Sequence, residues 1–188
     1  ITFDPFNITT FDELGYLQPA RGCFIYGADD FEFTDNTIQG GDFGLQLNAP
    51  FMGYNDEVLI ESNSITDCLN GITTYSRYNM DIISNTLSCG MWYANIYEEN
   101  VGNIGIVIQS TENVTIDDND ISGFVHGLRL DSGNLNCEIT DNTFTRSGIT
   151  FRPESFFTSS DWKLVIEYSF NVTMSGNMVN NKPIYYYV

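Results

Sequence analysis

Asp117, Asp118, His126 and Arg129 lie close together in the chain and supply the acid, base and cation types used to cleave glycosidic bonds, where one carboxyl protonates the leaving oxygen and another activates water. Their spacing argues against that use. Asp117 and Asp118 are adjacent, so on an extended chain they face opposite ways and at most one enters any cleft. His126 is the only His of the chain, and beside Gly127 it reads as a hydrogen-bonded surface residue near a turn. Lyase chemistry beside a uronate would need a projecting Lys or Arg. The two lysines, Lys163 and Lys182, fall in an irregular stretch and near the end. No catalytic residue is therefore expected, with Asp117, Asp118, His126 and Arg129 as the candidates should that expectation fail.

Metal chemistry is similarly thin. Asp118-x-Asp120-x-Ser122-Gly123 opens like a calcium-binding helix-loop-helix, but Arg129 stands where the closing Glu should be. Asp118 and Asp141 occupy equivalent places in consecutive repeats, about 4.8 Å apart if those repeats stack as strands. No cofactor is expected; calcium at Asp118 and Asp141 is the one ion the pattern would take. Cys23, Cys68, Cys89 and Cys137 form no CxxC and no Cys/His pair, so zinc is not expected. Asn7, Asn113 and Asn171 begin Asn-x-Thr sequons, candidate glycosylation sites that point to an outside address. Aromatics such as Tyr16, Phe24, Tyr26, Tyr75, Trp92 and Tyr97 could stack on sugars, but piling on one another along a stack of coils is the favoured reading.

The elements that position these residues emerge from a repeat. An apolar-x-apolar-polar-polar-Asn-x-apolar pattern recurs around Asn36, Asn63, Asn85, Asn119, Asn142 and Asn177, with spacings of 27, 22, 34, 23 and 35 residues. Two short alternating strands meet at each Asn, and a third piece opens with Gly, as in Gly44-Leu-Gln-Leu47, Gly71-Ile-Thr-Thr74 and Gly127-Leu-Arg-Leu130. Such a unit cannot bury its own apolar row, so it must stack on copies of itself. The fold expected is all-β: a parallel β-helix of about six to seven coils, with excursions at 93–106 and 153–169. The Asn residues are read as a structural ladder, each tolerating the left-handed backbone of a turn and bonding amide to amide along the axis. Residues 1–21 form an N-terminal segment or cap, with a capping-box turn at Thr10–Glu13, and 22–188 the β-helix, part of a longer chain.

Composition agrees. Only 4 Ala and 2 Lys stand against 20 Asn and 17 Thr, which starves helices and favours strands and turns. Acidic residues number 25 against 7 basic ones, a net charge of −18. This excludes a nucleic-acid partner and disfavours an anionic surface or polyuronate. No apolar run approaches a membrane span.

On these repeats, on Asn113-Val-Thr-Ile116 and Asn171-Val-Thr-Met174, and on the closing Asn181-Lys-Pro-Ile-Tyr-Tyr-Tyr-Val188, the chain resembles right-handed parallel β-helix families. The likeness is to the NosD-like and carbohydrate-binding β-helix repeats of exported bacterial and archaeal proteins, within the wider pectin-lyase-like group. The resemblance implies an extracellular or cell-surface setting. The function expected is a non-enzymatic module of a surface layer, sheath, fibre or adhesin, self-associating through coil ends or joining neighbouring surface proteins. The alternative is a carbohydrate-active β-helix, either a polysaccharide hydrolase or lyase or a sugar-binding module. Two further expectations are a Cys68–Cys89 bridge if the protein is secreted and a buried thiol stack if it is not, and a bare last coil at Ile184–Val188 that either the continuing chain or another subunit covers.

Overall fold

The computed structural model describes residues 2–3, 21–27, 30–48, 57–75, 78–90, 104–131, 133–152 and 170–184. Asn7, the Thr10–Glu13 turn, the excursion at 153–169, most of that at 93–106, and Tyr185–Val188 lie outside them. Sheet I consists of β3 (Phe31–Thr34), β6 (Val58–Glu61), β9 (Tyr78–Ile83), β12 (Glu112–Asp117), β15 (Asn134–Thr140) and β18 (Phe170–Ser175). Sheet II holds β1 (Thr2–Phe3), β4 (Thr37–Gln39), β7 (Ser64–Thr66), β10 (Thr86–Ser88), β13 (Asp120–Ser122), β16 (Thr143–Thr145), β19 (Met178–Val179) and β20 (Lys182–Pro183). Sheet III holds β2 (Arg21–Tyr26), β5 (Phe43–Asn48), β8 (Asn70–Tyr75), β11 (Ile104–Gln109), β14 (His126–Asp131) and β17 (Ile149–Arg152). The chain visits sheets I, II and III in turn and pairs in parallel with the coil before, so each sheet runs along the axis of a parallel β-helix.

Alternation decides which side chains fill the interior. Ile38, Ile65, Leu87, Ile121 and Phe144 stack from sheet II; Ile60, Ile82, Ile116 and Ile139 from sheet I; Leu45, Ile72, Ile106 and Leu128 from sheet III. All are fully buried. Thr74 is the polar exception among the inward positions, and its hydroxyl donates to the Val107 carbonyl at 3.3 Å.

The corner between sheets I and II is built differently from expectation. The left-handed residue is not the ladder Asn but the one before it: Asp35, Ser62, Ser84, Asp118, Asp141 and Gly176 have φ of 56, 57, 55, 52, 52 and 70°. That one turned residue swings the following Asn inward, where its side chain closes the corner. Asn85, for example, donates through its backbone N and its Nδ2 to Asn119 Oδ1 at 2.9 and 3.0 Å, and Nδ2 also reaches the Ile60 carbonyl at 2.9 Å. The same bonds link Asn36 to Asn63, Asn63 to Asn85, Asn119 to Asn142 and Asn142 to Asn177.

A second column is glycine. A Cβ on Gly105 would lie 2.5 Å from the Gly127 carbonyl oxygen and 2.7 Å from Ile121 Cγ2, and one on Gly71 would lie 2.5 Å from the Gly105 oxygen. Sheet III thus approaches the coil above too closely for any side chain there. Gly105 belongs to this column, so the first excursion ends before Ile104; the expected extension to 106 is corrected by regular pairing of β11 with β8 and β14.

Two other expectations meet the structure here. Cys68 and Cys89 are buried thiols with no disulfide between them. Because Thr66 aligns with Ser88 and the Asp67 amide donates to the Ser88 carbonyl, Asp67 stands opposite Cys89 and Cys68 falls one residue past it. The Cys68 thiol instead donates to the Gly40 carbonyl at 3.2 Å. The expected last coil at Ile184–Val188 lies almost wholly outside the described residues; just before it the chain folds back along sheet II. Asn180 and Asn181, both left-handed, turn the chain so that β20 pairs antiparallel with β19. Pro183 sits in this closing strand, where an absent N–H suits an edge. At the opposite end β1 adds a strand beside β4, so sheet II is one strand longer than its neighbours at both ends.

Candidate functional site

The outward face of sheet I carries a groove of about 700 Å³. Strand register explains its lining. Residues at the centre of each strand form one outward column, Glu32, Leu59, Asp81, Thr115 and Glu138, because the strands align without slip at these positions. All of these but Glu138 line the groove, and Asp30 and Glu57 add two more carboxylates at the strand entries. Phe31 and Leu59, both half-buried, supply its apolar parts, while Val58 and Val114 are core residues beneath it. Among the described residues its lining therefore joins four carboxylates, amides and apolar surface without Lys, Arg, His, Ser, Cys or Tyr. It offers hydrogen-bond acceptors but neither a base of nitrogen type nor an activated nucleophile.

The amides come from a second asparagine column, exposed and distinct from the buried ladder. Asn113 Nδ2 donates to Asn79 Oδ1 at 2.9 Å, Asn136 to Asn113 at 3.0 Å, and Asn171 to Asn136 at 2.7 Å. Asn79, Asn113 and Asn136 have left-handed φ of 49, 56 and 52°, as does Asp30 at 49°, so this column marks the corner between sheets III and I. The sequence signal for it is an Asn or acid six residues before each ladder Asn. Two members, Asn113 and Asn171, are sequon residues, and the Nδ2 that would carry a glycan is in each a donor within the column.

The structure separates the four catalytic candidates. Asp117, at the end of β12, accepts from Thr140 Oγ1 at 2.6 Å, and Asp118 at the corner accepts from Ser84 Oγ at 3.2 Å. His126 and Arg129 lie on sheet III, a different face. There Arg129 grips Asp131 with two contacts of 2.9 Å, and His126 Nδ1 lies 2.9 Å from Thr150 Oγ1. Burial, and then the Arg129 charge, hold the His126 ring below its ordinary pKa of 6.5, while burial raises the nearby Tyr75 phenol. Gln46 and Thr73 on the same sheet are also buried, with Gln46 Oε1 and Thr73 Oγ1 unpartnered. This cluster is an ion pair and a neutral imidazole, without a carboxylate free to assist the ring.

For calcium, Asp118 and Asp141 stand in register at one corner, and among the described residues no three His, Cys, Asp or Glu side chains gather to hold an ion. Of the aromatics, Tyr16, Trp92 and Tyr97 lie outside the described residues. Phe24 and Tyr26 are exposed on β2, their rings 6.5 Å apart, with the Arg21 guanidinium 4.7 Å over Phe24. No helix among the described residues is long and apolar enough to cross a membrane.

Comparison with curated proteins and with solved structures gives no match. A family model described as a right handed beta helix region matches residues 21–187, which covers all three stacked sheets apart from β1. With its parallel coils, its buried ladder and that match over most of its length, the chain belongs to the right-handed parallel β-helix family.

Proposed function

We propose that this β-helix is a non-enzymatic binding module that seats an extended polysaccharide chain in the groove over sheet I, in an extracellular or cell-surface setting. One observation carries the reading: acceptor and amide groups on consecutive coils stand in register beside apolar surface, in a cleft whose described lining holds no basic or nucleophilic residue. Sugar hydroxyls pair with carboxylates and amides, and sugar ring faces rest on apolar side chains. The coil spacing of about 4.8 Å repeats these groups at intervals close to the length of one sugar residue. Rigid strands rather than loops carry them, so little ordering cost attends binding.

Calorimetric titration with a panel of extended oligosaccharides tests this. At least one should bind, Leu59→Arg should abolish binding by filling the groove while leaving the melting temperature unchanged, and no new reducing ends or unsaturated products should appear. Glu32 and Asp81, two strands apart at roughly 9.5 Å between Cα atoms, are the pair that would be at work if product did appear.

Self-association remains the second reading, favoured by the ends. Arg146, Arg152 and Lys182 are exposed in the last coils beside Glu138 and Asp141, and Glu32 and Asp35 in the first beside Arg21, so a head-to-tail contact would have opposite charges to pair on both sides. The extra strands β1 and β20 on sheet II would have to be accommodated in such a contact. Sedimentation velocity at rising concentration should show salt-sensitive growth if copies stack, and a constant monomer if they do not.

A further inference from the structure

We infer that the groove over sheet I selects a cationic, amino-bearing polysaccharide, such as a chain of deacetylated amino sugars, over neutral or uronate chains. This rests on the proposed polysaccharide reading of the same groove and adds the charge of the ligand. Four carboxylates, Asp30, Glu32, Glu57 and Asp81, line it, with no basic residue among its described lining. Two described cations, both on sheet III, are engaged there. Arg129 is tied to Asp131 on sheet III, and Arg21 sits over Phe24. The net charge of −18 adds a long-range field of the same sign. A uronate would meet like charge at these carboxylates, and a neutral chain would leave them without countercharge. Amines spaced along an extended chain place an ammonium beside successive coils, where N⁺–H···O⁻ bonds are the stronger kind.

A basic peptide shares the charge but fits the surface less well. An extended peptide gains affinity chiefly by adding main-chain bonds to a sheet edge. The groove lies on the face of sheet I, where β3, β6, β9, β12 and β15 already pair with one another. What the face offers instead is side-chain amide and carboxylate groups. Asn79, Asn113 and Asn136 hold one another at fixed orientation and each keeps hydrogen-bonding capacity beyond the column, which suits the many hydroxyls of a sugar.

The experiment is calorimetry on the whole chain with a β-1,4-linked glucosamine oligomer, its fully N-acetylated form, a galacturonate oligomer and oligolysine of matched length, at low and moderate salt. The glucosamine oligomer is expected to bind tightest and to weaken with salt. The acetylated form should bind about tenfold more weakly, and Glu32→Gln combined with Asp81→Asn should cost the glucosamine oligomer about tenfold. Both replaced side chains are exposed, and an unchanged far-ultraviolet circular dichroism spectrum will show that the variant folds. Equal or tighter binding of the acetylated or galacturonate oligomer overturns the charge preference while leaving the groove a polysaccharide site. Oligolysine binding as tightly as the glucosamine oligomer overturns it too, showing an unselective polycation surface. Unchanged affinity in the double variant places the ligand elsewhere and overturns it, and failure of every oligosaccharide to bind overturns the polysaccharide reading itself.

Discussion

Asn119 shows how one residue type serves two needs at a corner. Its amide donates to Asn142 Oδ1 and the Ile82 carbonyl while its own oxygen accepts two bonds from Asn85. Asn119→Leu would strand these groups in a site that is 1% exposed, and a loss of about 1–3 kcal/mol is expected, measured by urea unfolding. His126 gives the pH dependence. Burial and Arg129 favour its neutral ring, with Asp131 opposing and Thr150 bonded to it. As pH falls below 6.5 the unfolded chain takes up the proton first, so stability is fully present above that value and is lost below it. Melting temperatures between about pH 7.5 and 5, above the carboxylate range, should fall for the wild type, and His126→Gln should flatten the slope. Burial also pushes the Cys68 and Cys137 thiols up to about 12, which leaves both as packing groups at neutral pH.

At the scale of the element, the decisive feature is how closely sheet III approaches the next coil. Gly105→Ala would drive a methyl group into the Gly127 carbonyl and Ile121, and the overpacking should cost about 1–3 kcal/mol. Gly148 occupies the same column in the last described coil of sheet III, where an added Cβ meets none of the described residues within 4 Å. Gly148→Ala should therefore be neutral, and the pair of melting temperatures separates steric contact from any general preference for glycine at strand starts. The corners show the same economy. Asp35, Ser62, Ser84, Asp118 and Asp141 are turn residues by backbone geometry. Their acids recur because short polar side chains tolerate the left-handed region.

Across the whole molecule, stacking without long-range closure makes stability a matter of neighbours. Central strands β8 to β14 have coils on both sides, whereas β17, β18 and β20 lie at one limit of their sheets. Hydrogen exchange should therefore show amides of β9 to β13 protected longest and those of β18 to β20 exchanging first; uniform protection would mean that the coils unfold as one unit. Much of this was legible in one dimension. Stacked coils repeat the same local demands, so the inward aliphatics, the six ladder Asn and most of the glycine column stand out as a periodic pattern. Gly105 escaped because a long irregular stretch precedes it and breaks the period. The groove and the outer Asn79–Asn113–Asn136–Asn171 column escaped for another reason. Outward positions carry no packing constraint, so Glu32, Leu59, Asp81 and Thr115 share no residue type, and only strand register places them side by side. The same register separated Asp117 and Asp118 from His126 and Arg129, neighbours in the chain set on different faces. Sequence alone determined what must be buried, because burial restricts residue type; tertiary structure decided which exposed groups meet, because neighbours across coils are 22 to 35 residues apart in the chain.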